Sequence, residues 1–211
     1  MKRVAVDLHY LPNLEFFTAI SGADELLVFP EDLYQRQSFL NRTQIRLANK
    51  VETLSVPVQG RRPKIPMEEV LIDYSQKWQA IHLRGIQSAY GKAPFFEYFF
   101  PYFESVISRK PETLWDLNWE MLTICLKLLQ SPVKLVKSKS SLDLTEVMDI
   151  RAQIIPKASF LNRNYYYPVV YGQLFGLDFE PDLSVVDLLF CEGPAAKNII
   201  LKSVKKTMNN H

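Results

Sequence analysis

The sequence predicts an α+β fold that opens like an α/β protein and contains a mixed β-sheet. Three observations indicate this class. The first thirty residues read as strand, helix and strand, residues 42–58 have the pattern of a β-hairpin, and residues 75–130 are mainly helical. With 211 residues the chain is long enough to form a sizeable core without disulfides.

The first thirty residues form a predicted βαβ-type unit. Residues 3–8 form a short apolar run with alternating character, and residues 25–29 form a second one. The apolar residues between them, over 14–21, have helical spacing. Ligands of parallel sheets usually bind beyond the carboxyl ends of the strands. We therefore expect His9 and Tyr10, which follow the first run, to share the functional edge with the loop after Phe29.

A predicted antiparallel pair follows. Residues 42–47 and 53–58 each alternate between polar and apolar side chains, and Asn49 and Lys50 supply the turn. Residues 69–73 are expected to add one more strand.

The helical part begins at Ser75, which can cap a helix, and continues with an aromatic segment over residues 94–103. Thr113-Leu-Trp-Asp116 resembles a capping box with Asp in place of Glu, ahead of an apolar helix to Leu129. Near the other end of the chain, Ser184 can cap a short helix.

Domain organisation is predicted from composition. We expect one domain over residues 1–195, a linker or mobile loop over the Ser- and Lys-rich residues 131–145, and a basic tail over residues 196–211 that frays.

Composition excludes several classes. The net charge of +2 is too small for bulk attraction of nucleic acid, and no window reaches the roughly 18 apolar residues of a membrane span. Cys125 and Cys191 lie in apolar runs without metal-binding spacing, which predicts buried thiols and no disulfide or metal site. Because no secretory signal pattern opens the chain, we expect a cytoplasmic protein.

No P-loop, GxGxxG, GxSxG or HExxH motif is present, so His9 and His82 are the candidate acid–base groups. His9 follows a strand, where it is either functional or hydrogen-bonded to the backbone. His82 shares a helical face with Trp78 and Gly85, where it either meets a ligand or packs as a satisfied histidine. Trp78 and Tyr90 either stack on a sugar or base ring or belong to the core.

The stretch from Tyr34 to Arg46 is rich in hydrogen-bond donors. Arg36 and Arg42, with Ser38 and Asn41 beside them, are the donor set that binds phosphate or carboxylate, and the alternative is a solvated strand face. Between residues 33 and 66, seven cations oppose one acid, a local charge of +6. A weaker interpretation of this segment is an RNA-contacting face, but no RNP-like motif supports it. Asp7 either orients His9 or Arg42 electrostatically or caps the loop that follows it.

Several short segments together suggest a family. They are Tyr10-Leu-Pro12 with Phe16-Phe17, Ser38-Phe-Leu-Asn41-Arg42, Trp78-Gln-Ala-Ile-His82, Ala89-Tyr90, Tyr171-Gly-Gln173, Leu183-Ser184 with Asp187, and Glu192-Gly-Pro194. In their order and spacing the chain resembles the WbqC-like proteins of bacterial surface-polysaccharide gene clusters. It departs from them at Asp7-Leu8-His9, where the family tends to have Gln-Pro, and at Cys191, where the family usually has asparagine, which argues against a cysteine nucleophile.

The resemblance implies a role in O-antigen or lipopolysaccharide biosynthesis, through modification of a nucleotide-linked amino sugar. Our hypothesis is transfer of an acyl group, for example from acyl-CoA, or of an aminoacyl group to the sugar amine, with no required cofactor. In it Arg36 and Arg42 hold phosphate, Asn41 binds the sugar, and His9 or His82 accepts the amine proton. The alternative is a non-catalytic scaffold of the same pathway. The enzyme hypothesis expects these histidines and arginines to converge on one cleft.

Overall fold

A computed structural model describes residues 1–60, 64–176 and 178–205 of the chain. It confirms the α+β class: a four-stranded parallel sheet, an antiparallel hairpin and several helices surround one large apolar core. Both cysteines are buried free thiols, as expected.

The predicted βαβ unit is confirmed, with shorter elements than the patterns suggested. Strand β1 (Arg3–Ala5) leads through helix α1 (Leu14–Ala19) to strand β2 (Glu25–Val28), which pairs parallel to β1. The helix starts at Asn13, whose side chain accepts a hydrogen bond from the N–H of Phe16.

Two later strands complete the parallel sheet. Strand β5 (Lys134–Lys137) pairs with β2, and strand β6 (Val147–Asp149) pairs with β1, giving the order β5-β2-β1-β6. The chain therefore adds β2 and β5 on one side of β1, and then adds β6 on the other side of β1. This reversal is a topological switch point, and it lies between the carboxyl ends of β1 and β6.

The hairpin is confirmed, although its second strand is shifted. Strand β3 (Arg42–Arg46) pairs with β4 (Val51–Ser55) in a register that sets Arg42 opposite Ser55 and Ile45 opposite Glu52. The turn closes through a bond from the N–H of Leu47 to the carbonyl of Lys50.

A 3-10 turn over Met67–Glu69 comes next. It is followed in the described ranges by five α-helices: α2 (Trp78–Tyr90), α3 (Phe96–Ser108), α4 (Leu114–Leu128), α5 (Val185–Glu192) and α6 (Ala196–Lys202). Helix α4 begins as predicted, because the Thr113 hydroxyl accepts a bond from the N–H of Asp116 at 3.0 Å.

Several expectations were wrong in detail. Residues 69–73 form only isolated bridges, at Leu71 and Ile72. Ser75 does not cap α2; its N–H donates to the Asp73 carboxylate in a turn before the helix. Ser184 precedes α5, but its hydroxyl donates to the carbonyl of Leu11 and so joins two distant segments.

The expected linker and tail also contain structure. Residues 131–145 include β5, an edge strand whose Lys134 and Lys137 are exposed. Residues 196–202 form α6, which buries Ala196 and Ile200 against the core, while the predicted tail residues 206–211 lie outside the described residues. The extent of the domain, 1–195, stays a prediction.

An enclosed ion pair fixes α1 to the later part of the chain. Glu15 is fully buried, and the Arg163 guanidinium donates to both of its carboxylate oxygens, with Nε 2.6 Å from Oε1. Arg163 Nη1 also donates to the carbonyl of Ala158.

Removing the α4 cap should have a modest, measurable effect. We expect Thr113→Ala to lower the free energy of unfolding by about 1 kcal/mol, because the N–H of Asp116 then loses its acceptor. Thr113→Ser keeps the hydroxyl and should retain most of the stability in urea titrations. Equal losses in the two variants would contradict the capping role.

Candidate functional site

His82 is enclosed between α2 and the hairpin, and both of its ring nitrogens are hydrogen-bonded. Nε2 lies 3.2 Å from the carbonyl oxygen of Ser55, to which it donates, and Nδ1 lies 2.9 Å from the Tyr10 hydroxyl, from which it accepts. Burial lowers the pKa of His82 to about 4, although the bond to Ser55 favours the protonated ring. His82 is therefore neutral at pH 7 and has no nitrogen free for a substrate.

His9 is also buried. Its ring lies 5.2 Å from that of Phe16 and 5.6 Å from that of Phe39, measured between centroids. Burial lowers its pKa to about 3, and its Nδ1 has no partner among the described residues. The imidazole is thus neutral at pH 7 and shielded from solvent.

A groove of about 290 Å³ runs between α2 and β4. Trp78, His82 and Ile81 form the helical side, and Glu52 and Leu54 belong to the strand side. Trp78 and His82 are only 2% and 1% exposed, so they present little surface to the groove. The Trp78 ring instead packs edge-on against His82 at 5.0 Å.

We define the cationic face as Tyr34, Arg36 and Arg42, of which Arg42 lies on the side of the hairpin that is turned away from α2. Burial is the main cause that raises the pKa of Tyr34, and the two guanidinium groups oppose it, which places both near the hydroxyl. Arg36 Nη2 donates to the carbonyl of Gly60 at 2.5 Å. Arg42 Nε is enclosed and has no acceptor in the part of the chain that the structure describes.

Neither arginine of the cationic face pairs with a carboxylate within the described ranges. Arg61 and Arg62, which belong to the same basic segment, lie outside the described residues.

Most polar atoms of the other predicted ligand-binding residues are hydrogen-bonded inside the fold, whereas Asn41 Oδ1 and Trp78 Nε1 are buried without a partner among the described residues. Ser38 donates to the carbonyl of Gln35, and Asn41 donates to the carbonyl of Val56. Tyr90 is buried and accepts the N–H of Arg46 at 3.1 Å. Tyr10 is likewise hydrogen-bonded to His82. Together these bonds hold the segments around the hairpin in place.

The hairpin register separates the predicted residues into two groups. Ile45 and Leu54 face α2, since a side chain at Gly85 would contact both. Successive side chains of a strand point to opposite faces, and Arg42 is three residues from Ile45 on the same strand. Arg42 therefore lies on the face opposite to Ile45. Arg42 and His82 therefore lie on opposite faces of the hairpin, and His9 lies in the core, so these predicted residues do not share one cleft.

Sequence reasoning missed a cluster at the carboxyl edge of the parallel sheet. Asp7 follows β1, Asp32 follows β2 and Asp149 ends β6, and all three surround Arg151 or its loop. Arg151 Nη1 lies 3.0 and 3.2 Å from the Asp32 oxygens, and Nη2 lies 2.6 Å from Asp149 Oδ2. The N–H of Ala152 donates to Asp7 Oδ2 at 2.6 Å. We call these four charged side chains the switch-point cluster.

The pKa values of the three acids of the switch-point cluster are shifted in different directions. Burial raises the pKa values of Asp7 and Asp32, whereas hydrogen bonds from Arg151 lower that of Asp149. Asp7 was expected to cap the loop directly after it in the sequence. It instead accepts the N–H of Ala152, in the loop after β6. Position after a predicted strand was the signal available for Asp7 and Asp32.

Comparison with known proteins identifies the family. The sequence model of the WbqC-like protein family matches residues 8–168, which is well over half of the chain. The chain belongs to the WbqC-like protein family.

One relative of this WbqC-like protein is an uncharacterized protein of Mycobacterium tuberculosis. It is 31% identical over 98 residues, which cover 46% of this chain and 42% of the relative. The aligned part is thus less than half of the mycobacterial protein's length. No solved structure matches the WbqC-like chain significantly. Among its described helices, none has the length and apolar character needed to cross a bilayer.

The C-terminal segments of the resemblance form a buried network in this WbqC-like protein. The Tyr171 hydroxyl donates to Asp187 Oδ2 at 2.5 Å, and Gln173 Nε2 donates to the same oxygen at 3.1 Å. Gln173 also exchanges two bonds with the backbone of Glu180, whose side chain pairs with Arg46 at 3.3 Å. These residues fasten the segment before α5 to the hairpin.

Proposed function

We propose that this WbqC-like protein binds a phosphorylated, nucleotide-linked amino sugar at the carboxyl edge of its parallel sheet and transfers an acyl or aminoacyl group to the sugar amine in surface-polysaccharide biosynthesis. The observation that supports the proposal best is the cationic face. Two arginines near one tyrosine hydroxyl have no carboxylate partner in the described chain, and an enclosed guanidinium N–H there lacks an acceptor. Buried donors are normally satisfied, so a bound anion would supply what is missing.

The position of the cationic face supports a ligand that has both a phosphate part and a sugar part. Asp32 of the switch-point cluster lies only two residues before Tyr34 of the cationic face along the chain. Phosphate oxygens would bind Arg36 and Arg42, and the hydroxyl and amine groups of the sugar would extend toward the carboxylates. Ligands of parallel sheets commonly bind at such a switch point.

Asp7 is the group that we assign to the amine proton. Its Oδ1 has no hydrogen-bond partner among the described residues, and burial raises its pKa, although the bond from the N–H of Ala152 opposes the rise. The amine nitrogen would attack the acyl carbonyl as its proton passes to Asp7. The new C–N bond replaces the bond between the acyl group and the donor's leaving group. His9 and His82 would then act as structural residues.

Binding is tested by calorimetry and thermal shift with UDP-, dTDP- and GDP-linked amino sugars and with acyl-CoA. We expect one nucleotide sugar to bind, and Arg42→Leu to weaken it by at least about tenfold, since hydrogen bonds to charged groups contribute about 1.5–3 kcal/mol. Arg84→Leu removes an exposed arginine of α2 and should leave binding unchanged.

The circular dichroism spectra and melting temperatures of both variants show whether each is folded. Failure of every anionic ligand to bind, or an equal loss in the Arg84 variant, would exclude the proposed site. If binding is present, Asp7→Asn should lower kcat by about a hundredfold with little change in ligand affinity.

The scaffold alternative is favoured by the enclosure of both histidines and by exposed apolar side chains on α2 and α3. Ile81 is 58% exposed and Tyr98 is 72% exposed. Cells that carry Asp7→Asn and Arg42→Leu at normal protein levels distinguish the two functions. Unchanged polysaccharide synthesis would indicate a scaffold, and its loss supports the enzyme.

A further inference from the structure

An apolar pocket lies at the amino edge of the parallel sheet, at the opposite edge from the switch-point cluster. It encloses about 260 Å³ between the end of α1, the loop before β5 and helix α6. Its walls are mainly aliphatic and aromatic, and include Phe17, Ile20, Ala23, Leu129, Val133 and Ile200. The space exceeds the roughly 150 Å³ of a cavity that holds benzene.

The backbone around this pocket offers water little to bind. The N–H groups of Ala23, Leu129 and Ser131 are already bonded to the carbonyls of Ile20, Cys125 and Leu126. Water in a cavity needs several polar partners, and an apolar cavity without them takes up hydrocarbon instead. The walls therefore favour an alkyl chain over ordered water.

The polar atoms of the pocket are a cation and hydroxyl groups. Lys197 lines it, and its Nζ donates to the carbonyl of Gln130 at 2.9 Å. Lys197 has no carboxylate partner in the part of the chain that the structure describes. Ser21 and Ser131 add hydroxyl groups to the same lining. This charge is complementary to an anionic head group.

We propose that the pocket binds a medium-chain carboxylate, with its alkyl chain between α1 and α6 and its head group at Lys197. Apolar walls with one unpaired cation and hydroxyl groups match the two ends of such a molecule. The site lies at the other edge of the sheet from the proposed sugar-binding site, so the inference does not rest on the proposed function.

Octanoate is the probe, with octylamine and octanol as matched ligands of similar chain length. Isothermal titration and chemical-shift mapping should give saturable binding with a dissociation constant on the order of 0.1–1 mM and shifts at Ile20, Val133 and Ile200. Octylamine should bind more weakly than octanoate. Absence of saturable octanoate binding, or equal binding of octylamine, would overturn the proposal.

Three variants locate the site. Lys197→Gln should weaken octanoate by about two- to fivefold and leave octanol unchanged, whereas Lys202→Gln, in the same helix but outside the pocket, should change neither. Leu201→Trp places bulk at a half-exposed wall position and should reduce binding of both ligands. Equal effects of the two lysine variants would refute the head-group assignment.

Other occupants of the pocket are distinguishable in the same protein. A concentration-dependent dimer that octanoate does not dissociate would assign the surface to a second copy of the chain. Octanoate binding that appears only after removal of residues 206–211 would assign the pocket to that segment. Either result overturns the proposal.

Discussion

Arg163→Met should lower the free energy of unfolding by about 3–5 kcal/mol, because it leaves the Glu15 carboxylate buried without its cation. Glu15 is on α1, and the guanidinium contacts both of its oxygens. Urea unfolding followed by circular dichroism measures the change. The measurement is made at neutral pH.

Two matched variants separate burial from simple loss of charge. Arg109→Met breaks the exposed pair with Glu120 and should change stability by less than about 1 kcal/mol. Glu15→Leu combined with Arg163→Met removes both charges and should recover a large part of the loss. If Arg163→Met were no worse than Arg109→Met, the enclosed pair would have no special role.

Acid should destabilise the protein strongly between pH 6.5 and 4. His82 and His9 have folded-state pKa values of about 4 and about 3, below the ordinary value of 6.5. In that window the unfolded chain binds more protons than the folded one, so stability is full above pH 6.5 and falls as the pH drops. Each histidine contributes a slope of about 1.4 kcal/mol per pH unit, or several kcal/mol over the window.

The difference between wild type and His82→Gln isolates one of these slopes. Glutamine can still accept a bond from Tyr10 and donate to Ser55, but it does not titrate. Raised carboxyl pKa values such as those of Asp7 and Asp32 act with the opposite sign, yet they are common to both proteins and cancel. We expect the unfolding free energy of the variant to fall by about 1.4 kcal/mol less per pH unit in this window. Parallel curves would show that His82 titrates normally.

Local sequence signals predicted the elements that depend on near neighbours. The βαβ opening, the turn of the hairpin and the Thr113 cap are all encoded within a few residues, and the structure confirms them. Strand β5 was missed because Lys-Leu-Val-Lys has no period-2 pattern. Its identity as a strand depends on pairing with β2, which lies far earlier in the chain.

The candidate site was harder to predict for the same reason. The cationic face comes from one continuous stretch and could be recognised from donor composition. The switch-point cluster joins Asp7 and Asp32 to Asp149 and Arg151, and only the sheet order brings them together. The enclosure of His9 and His82 depends on packing by Phe16, Phe39 and the hairpin, which periodicity along α2 could not reveal.

The order β5-β2-β1-β6 also governs how the chain can fold during synthesis. The partners of β1 and β2 on their outer sides are residues 147–149 and 134–137, so both early strands emerge from the ribosome long before these partners. Contacts between such distant segments slow folding, and unpaired strand edges are exposed meanwhile. The nascent WbqC-like chain is therefore most prone to aggregation before β6 has been made, and shortening it before residue 147 should yield insoluble protein.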